Sequence, residues 1–111
     1  MIIEKNGFIH HVFFWLKNPE SRDAMHSVST LIAGLQKLSK APTIKDFHIG
    51  QPANTNRDVV VNTYAVSWLL LFENAEDQDV YQTDPVHLKF IEECSHLWSK
   101  VVVYDTVGVN N

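Results

Sequence analysis

The nine residues FIHHVFFWL, Phe8 to Leu16, decide how the rest of the chain is read. They are dense in aromatic and β-branched side chains and are followed by Lys17-Asn18-Pro19, a breaker, so they read as a strand. A strand with one wet face alternates apolar and polar residues. This one does not: Ile9, His11, Phe13 and Trp15 fall on one side and Phe8, His10, Val12, Phe14 and Leu16 on the other. A strand apolar on both sides belongs inside a sheet that is covered on both sides.

Working outward, Met25, Val28, Leu31, Ile32, Leu35 and Leu38 recur at helical spacing, which predicts an amphipathic helix from Pro19, behind Asn18, to about Lys40. Ile44–Gly50 (IKDFHIG) reads as a second strand, and Gln51–Asp58 as a loop. Val59–Phe72 reads as a long third strand, again apolar on both faces. Asn74 and the acids Glu76 and Asp77 start a short helix ending near Gln82. Asp84-Pro85 starts another, with His87, Phe90, Ile91, Cys94 and Trp98 on one face, and Lys100–Val107 (KVVVYDTV) closes the sheet.

The order β-α-β-β-α-α-β is that of an α+β, ferredoxin-like split βαβ fold with a four-stranded antiparallel sheet, one crossover being broken into two helices. Crossovers of one hand put all the helices on a single side of the sheet. A chain of 111 residues, expected to form one domain over its whole length, has little left to cover the other side. An apolar sheet face is larger than the exposed patches that monomers tolerate. The expected solution is a homodimer, sheet against sheet, forming a dimeric α/β barrel.

Composition narrows the partners. With 45% hydrophobic residues, 20% charged residues, 4 Gly and 4 Pro, the chain is of globular type. A net charge of -4, with 9 Lys plus Arg that do not cluster, argues against nucleic acid as a partner. The apolar run Trp68–Phe72 is too short to span a membrane, Met1–Phe8 lacks the pattern of a signal peptide, and the lone Cys94 forms no internal disulfide. A cytoplasmic protein with no membrane partner is expected.

His87 is the most informative polar residue. It lies in the first turn of a helix capped by Asp84, where the helix dipole and burial both favour a neutral imidazole, the form that accepts a proton. Tyr81, at the end of the preceding helix, can donate to a substrate oxygen. The residues alone leave two readings open: a general base with a hydrogen-bond donor, or a core histidine satisfied by a carbonyl beside a packed tyrosine. His10 and His11 point to opposite faces, so within one chain they cannot share a site. His26, His48 and His96 lack metal-ligand spacing, and no metal or cofactor is expected. Cys94, on an apolar helix face, reads as a packed thiol. Gly-rich phosphate loops and nucleophile elbows are absent from the sequence.

The segments HVFFWLK (His11–Lys17), YQTDPVHLKF (Tyr81–Phe90) and WSKVVVYD (Trp98–Asp105) together resemble the stress-responsive dimeric α/β-barrel (Dabb) domain, over about Phe8 to Val107. The resemblance implies a ferredoxin-like subunit, a homodimer and a small apolar or carbonyl-containing ligand. A plant polyketide cyclase of this family closes a linear thioester by an aldol reaction without a cofactor. Carried over by position, the resemblance implies His87 as general base, Tyr81 as its assistant and His11 as a polar group of the pocket between sheet and helices. Phe13, Val66, Trp68 and Phe90 are expected to line that pocket. Val66 stands where the cyclase has a further histidine, and Asp84 where the family often has histidine before the proline, so the polyketide substrate does not carry over with the fold. The first function expected is that of a homodimeric stress-responsive barrel with no established catalysis, which binds a small apolar molecule or acts in a stress response through its stable fold. A cofactor-independent cyclase-like lyase with His87 as base is the alternative, and the wider superfamily adds a third, monooxygenation of aromatic compounds.

Overall fold

The computed structural model describes residues 1–109; Asn110 and Asn111, the end of the expected domain, lie outside the described residues. The elements are β1 (Phe8–Leu16), α1 (Ala24–Leu38), β2 (Ile44–Gly50), β3 (Val66–Phe72), α2 (Ala75–Gln82), α3 (Pro85–Cys94), a 3-10 turn at Ser95–Leu97 and β4 (Trp98–Val107). The four strands form one sheet in the order β2-β3-β1-β4 with antiparallel neighbours, the ferredoxin-like arrangement.

Burial along β1 alternates strictly. Phe8, His10, Val12, Phe14 and Leu16 are buried, and the residues between them are half-buried. The buried set faces the helices, where it joins Leu31, Leu35 and Leu38 of α1, Val66, Trp68, Leu70 and Phe72 of β3, and Tyr81, Phe90 and Cys94. Gly34 lets α1 approach α3 closely: a Cβ there would sit 3.1 Å from both Cys94 Sγ and the Phe90 ring. Trp68 Nε1 donates to Ser39 Oγ at 2.9 Å, and Ser39 in turn donates to the Leu35 carbonyl at 2.7 Å, so the indole enters the core with its polar atom satisfied.

Among the described residues no helix lies on the other face of the sheet. Two stretches of the chain nevertheless cover its margins. The N-terminal segment shields Leu71, and Val59, Val61 and Tyr64 of the β2–β3 loop lean over Phe13 and Trp15. The rest, including His11, Leu69, Val102 and Tyr104, forms an open and largely apolar surface.

Three boundaries differ from those expected. Residues 19–23 form turns instead of the first coil of α1: Ser21 N–H donates to the Asn18 carbonyl and Ala24 N–H to that of Ser21. Residues 59–65 are loop instead of strand, because β2 ends at Gly50 opposite Ser67 and leaves the segment before Val66 without a partner on that side. Trp98 belongs to β4 instead of α3, yet it still stacks on Phe90 with ring centroids 5.7 Å apart.

Candidate functional site

Between β1, β4 and α3 lies a pocket of about 520 Å3. Its shape follows from the pairing of β1 with β4, which sets His10 opposite Asp105, Val12 opposite Val103 and Phe14 opposite Val101. The pocket is therefore polar at one end and apolar along its length, where Trp68, Phe90 and Trp98 complete the walls. Val101 and Val103 are 37% and 43% exposed on the edge strand and form its rim.

The polar end is built from Tyr81, His87, His10 and Asp105, with Asp84 behind them at the start of α3. Asp84 accepts from the Val86 N–H at 2.8 Å and, with Pro85 in the first turn, fixes the start of α3. One residue further on, His87 turns back so that its Nδ1 lies 3.1 Å from the carbonyl of Gln82. A carbonyl only accepts, so Nδ1 carries a hydrogen and donates it; of the two neutral tautomers this contact selects the one that leaves the lone pair on Nε2. The His87 ring lies against Tyr81, with centroids 4.6 Å apart. Tyr81 is 1% exposed, and its phenol is pushed well above the ordinary value, first by burial and then by the Asp84 charge. It stays a neutral O–H donor. On its other side Tyr81 meets His10, centroids 6.2 Å apart, whose Nδ1 is 2.6 Å from Asp105 Oδ1. The carboxylate accepts from that nitrogen and orients the ring.

Of the residues expected in the site, Tyr81, His87, Trp68 and Phe90 converge here. Val66 is fully buried in the neighbouring core and does not line the cavity. The expectation that His11 and Phe13 line this pocket is corrected: both lie on the open face, their rings 4.3 Å apart, and His10 takes the inward position. The reason is strand parity, since a shift of one residue moves a side chain to the opposite face. The sequence alone assigns no site role to His10, Asp105 or Gln82. The alternation of β1 carried a signal for His10, but Asp105 becomes its partner only through the register of two distant strands.

Burial, with a smaller effect from Glu93, pushes the Cys94 thiol up, in keeping with a packed and unreactive sulfur. Among the described residues no group of three or more His, Cys, Asp or Glu side chains could hold a metal ion, and no helix is long and apolar enough to cross a membrane.

Residues 8–107 match the family described as the Stress responsive A/B Barrel Domain, Dabb. The chain belongs to the Dabb family. Solved structures with the same fold include a dimeric protein of unknown function from Bacteroides fragilis, 17% identical, covering 96% of this Dabb chain and 99% of its own, with a TM-score of 0.74. A Dabb family protein from Mesorhizobium loti is 18% identical over 95% of this chain and 99% of its own, with a TM-score of 0.73. Hydroxynitrile lyase from Passiflora edulis is 20% identical over 96% of each chain, with a TM-score of 0.67. A comparison with curated protein sequences finds no significant match. At these identities the solved structures speak for the fold of the Dabb chain and not for its chemistry.

Proposed function

We propose that the protein is a homodimeric barrel whose helix-side pocket binds a small, largely apolar carbonyl compound and moves a proton next to the carbonyl without a cofactor. The observation that carries this reading is the contact of Tyr81 with His87 at the polar end of an open apolar pocket, with His87 Nδ1 held by the Gln82 carbonyl. In the proposed step Nε2 of His87 takes a proton from the carbon beside the carbonyl. The electron pair of that C–H bond forms the C=C bond of an enolate while the carbonyl π pair moves to oxygen, and the Tyr81 O–H donates a hydrogen bond to the resulting oxyanion. Return of the proton from His87 to the carbon completes an exchange; alternatively the new carbon nucleophile attacks a second carbonyl, whose π pair moves to its oxygen, and that alkoxide takes the proton from His87, which restores the base. His10, backed by Asp105, supplies a second polar contact for the ligand.

The homodimer is supported by the apolar open face and by solved relatives of the same fold that are dimeric. A lone buried thiol suits a reducing compartment such as the cytoplasm.

The test is exchange of carbon-bound hydrogen for deuterium in D2O, followed by NMR, on a panel of aryl and alkyl ketones and polyketide-like thioesters. Hydroxynitriles belong in the panel because a hydroxynitrile lyase has this fold. Exchange or turnover above buffer that vanishes in His87→Ala is the expected result. Wild-type rates in His87→Ala would discard His87 as base. Saturable binding without exchange would reduce the reading to a ligand-binding barrel, and oxygen uptake with aromatic substrates would replace it with oxygenation.

A further inference from the structure

The open face carries its own pair of histidines. The strand register sets His48 of β2, Leu69 of β3, His11 of β1 and Tyr104 of β4 in one row across the whole sheet. His11 lies on Phe13, and the His48 ring runs along its strand over Gly50, where an added Cβ would meet His48 Cε1 at 3.1 Å. Among the described residues neither ring forms an ion pair. Sheet-to-sheet association would therefore enclose two unpaired imidazoles from each copy.

Enclosing an imidazole without a counter-charge favours its neutral form. In the single chain this has already begun: burial, and after it the charge of His48, hold His11 below the ordinary histidine value. The other charged groups of this face do not reverse the balance. The carboxylate of Asp46, on the side of β2 that bears His48, lies 4.0 Å from the amino group of Met1, and Lys100 of β4 lies over the Trp15 ring at 4.7 Å and adds positive charge. Arg57 and Asp58, in the loop that leans over the face, are exposed and of opposite sign.

We propose that acid loosens the dimer through His11 and His48. This rests on the sheet-to-sheet dimer of the preceding section. The separated chains would bind protons that the dimer excludes, so dissociation is promoted as pH falls through the histidine range.

Sedimentation equilibrium on the full chain at pH 7.5 and 5.5 tests it, with far-UV circular dichroism to verify that the fold persists. The expected result is a dimer at pH 7.5 whose dissociation constant rises by about tenfold or more at pH 5.5. That rise should be lost in the folded double variant His11→Gln/His48→Gln. An unchanged dissociation constant would overturn the switch and leave the dimer standing. A rise that persists in the double variant would overturn it too, by assigning the effect to other groups. A single chain at both pH values would overturn the dimer and the switch together.

Discussion

The two faces of one strand divide the work of this molecule. On β1, His10 and His11 differ by a single position. His10 is 7% exposed, tied to Asp105 and set beside Tyr81, whereas His11 shares the open face with Phe13 and Tyr104. The helix-covered face supplies the stability of the subunit and the geometry of the pocket. In the proposed dimer the open face contributes less to folding and more to assembly. Composition does not separate them, since both are aromatic and apolar; the side on which the crossovers place the helices does.

Breaking the core of each face should expose the contrast most strongly. Phe72 is fully buried on the helix side, against Phe8 and Tyr81, and Phe72→Ala should cost about 3–5 kcal/mol in urea unfolding. Phe13 is half-buried on the open side. Phe13→Ala should weaken association in sedimentation while moving the unfolding midpoint of the diluted chain far less. Equal losses of subunit stability would mean that the open face is part of the folding core.

The histidines give the next contrast, in activity on whichever panel compound is turned over. His87→Ala should lower kcat by about two to four orders of magnitude. His10→Ala removes a charge-assisted contact that is worth about 1.5–3 kcal/mol, so a loss of about tenfold to hundredfold is expected. His11→Ala, on the other side of the sheet, should leave kcat within about twofold at concentrations that keep the dimer formed. A larger loss in His11→Ala than in His10→Ala would reverse the assignment of the faces.

That assignment marks the limit of what the sequence disclosed. The order of elements, the helix-side core and the pairing of Tyr81 with His87 were all legible, because periodicity, Asp84-Pro85 and short spacing are local signals. Which of two adjacent histidines turns inward is not local. It depends on the phase of β1 relative to helices more than ten residues away, and the motif HVFFWLK is compatible with either phase. The partnership of His10 with Asp105 is more remote still, joining residues 95 apart in the chain. The start of β3 at Val66 was hidden for a related reason: Val59–Val61 has strand-like residues, but a strand also needs a neighbour, and Gly50 is where that neighbour stops.

Alkaline titration probes the buried side in another way. The Tyr81 phenol is raised above its ordinary value of 10.0 by burial and by Asp84. Below that pH the phenol is neutral in both folded and unfolded chains and adds no pH dependence. As the pH climbs above it, the unfolded chain ionises while the folded one resists. Stability should therefore fall from pH 10 upward, and phenolate absorbance should show one of the 3 tyrosines ionising together with unfolding.

The smallest effect separates two roles of Asp84. Its carboxylate caps α3 through the Val86 N–H, and its charge helps to keep Tyr81 protonated. Asn caps a helix about as well as Asp, so Asp84→Asn should keep the hydrogen bond and lose only the interaction with the helix dipole, about 0.3–1 kcal/mol. The same substitution removes the lesser of the two influences on Tyr81, so the phenol should ionise at a lower pH than in the wild type while remaining above the ordinary value. Asp84→Ala, which also removes the cap, should cost about 1 kcal/mol. If Asp84→Asn leaves the Tyr81 titration untouched, burial alone protects the donor, and the proton inventory of the pocket depends on its walls and not on the charge at the start of α3.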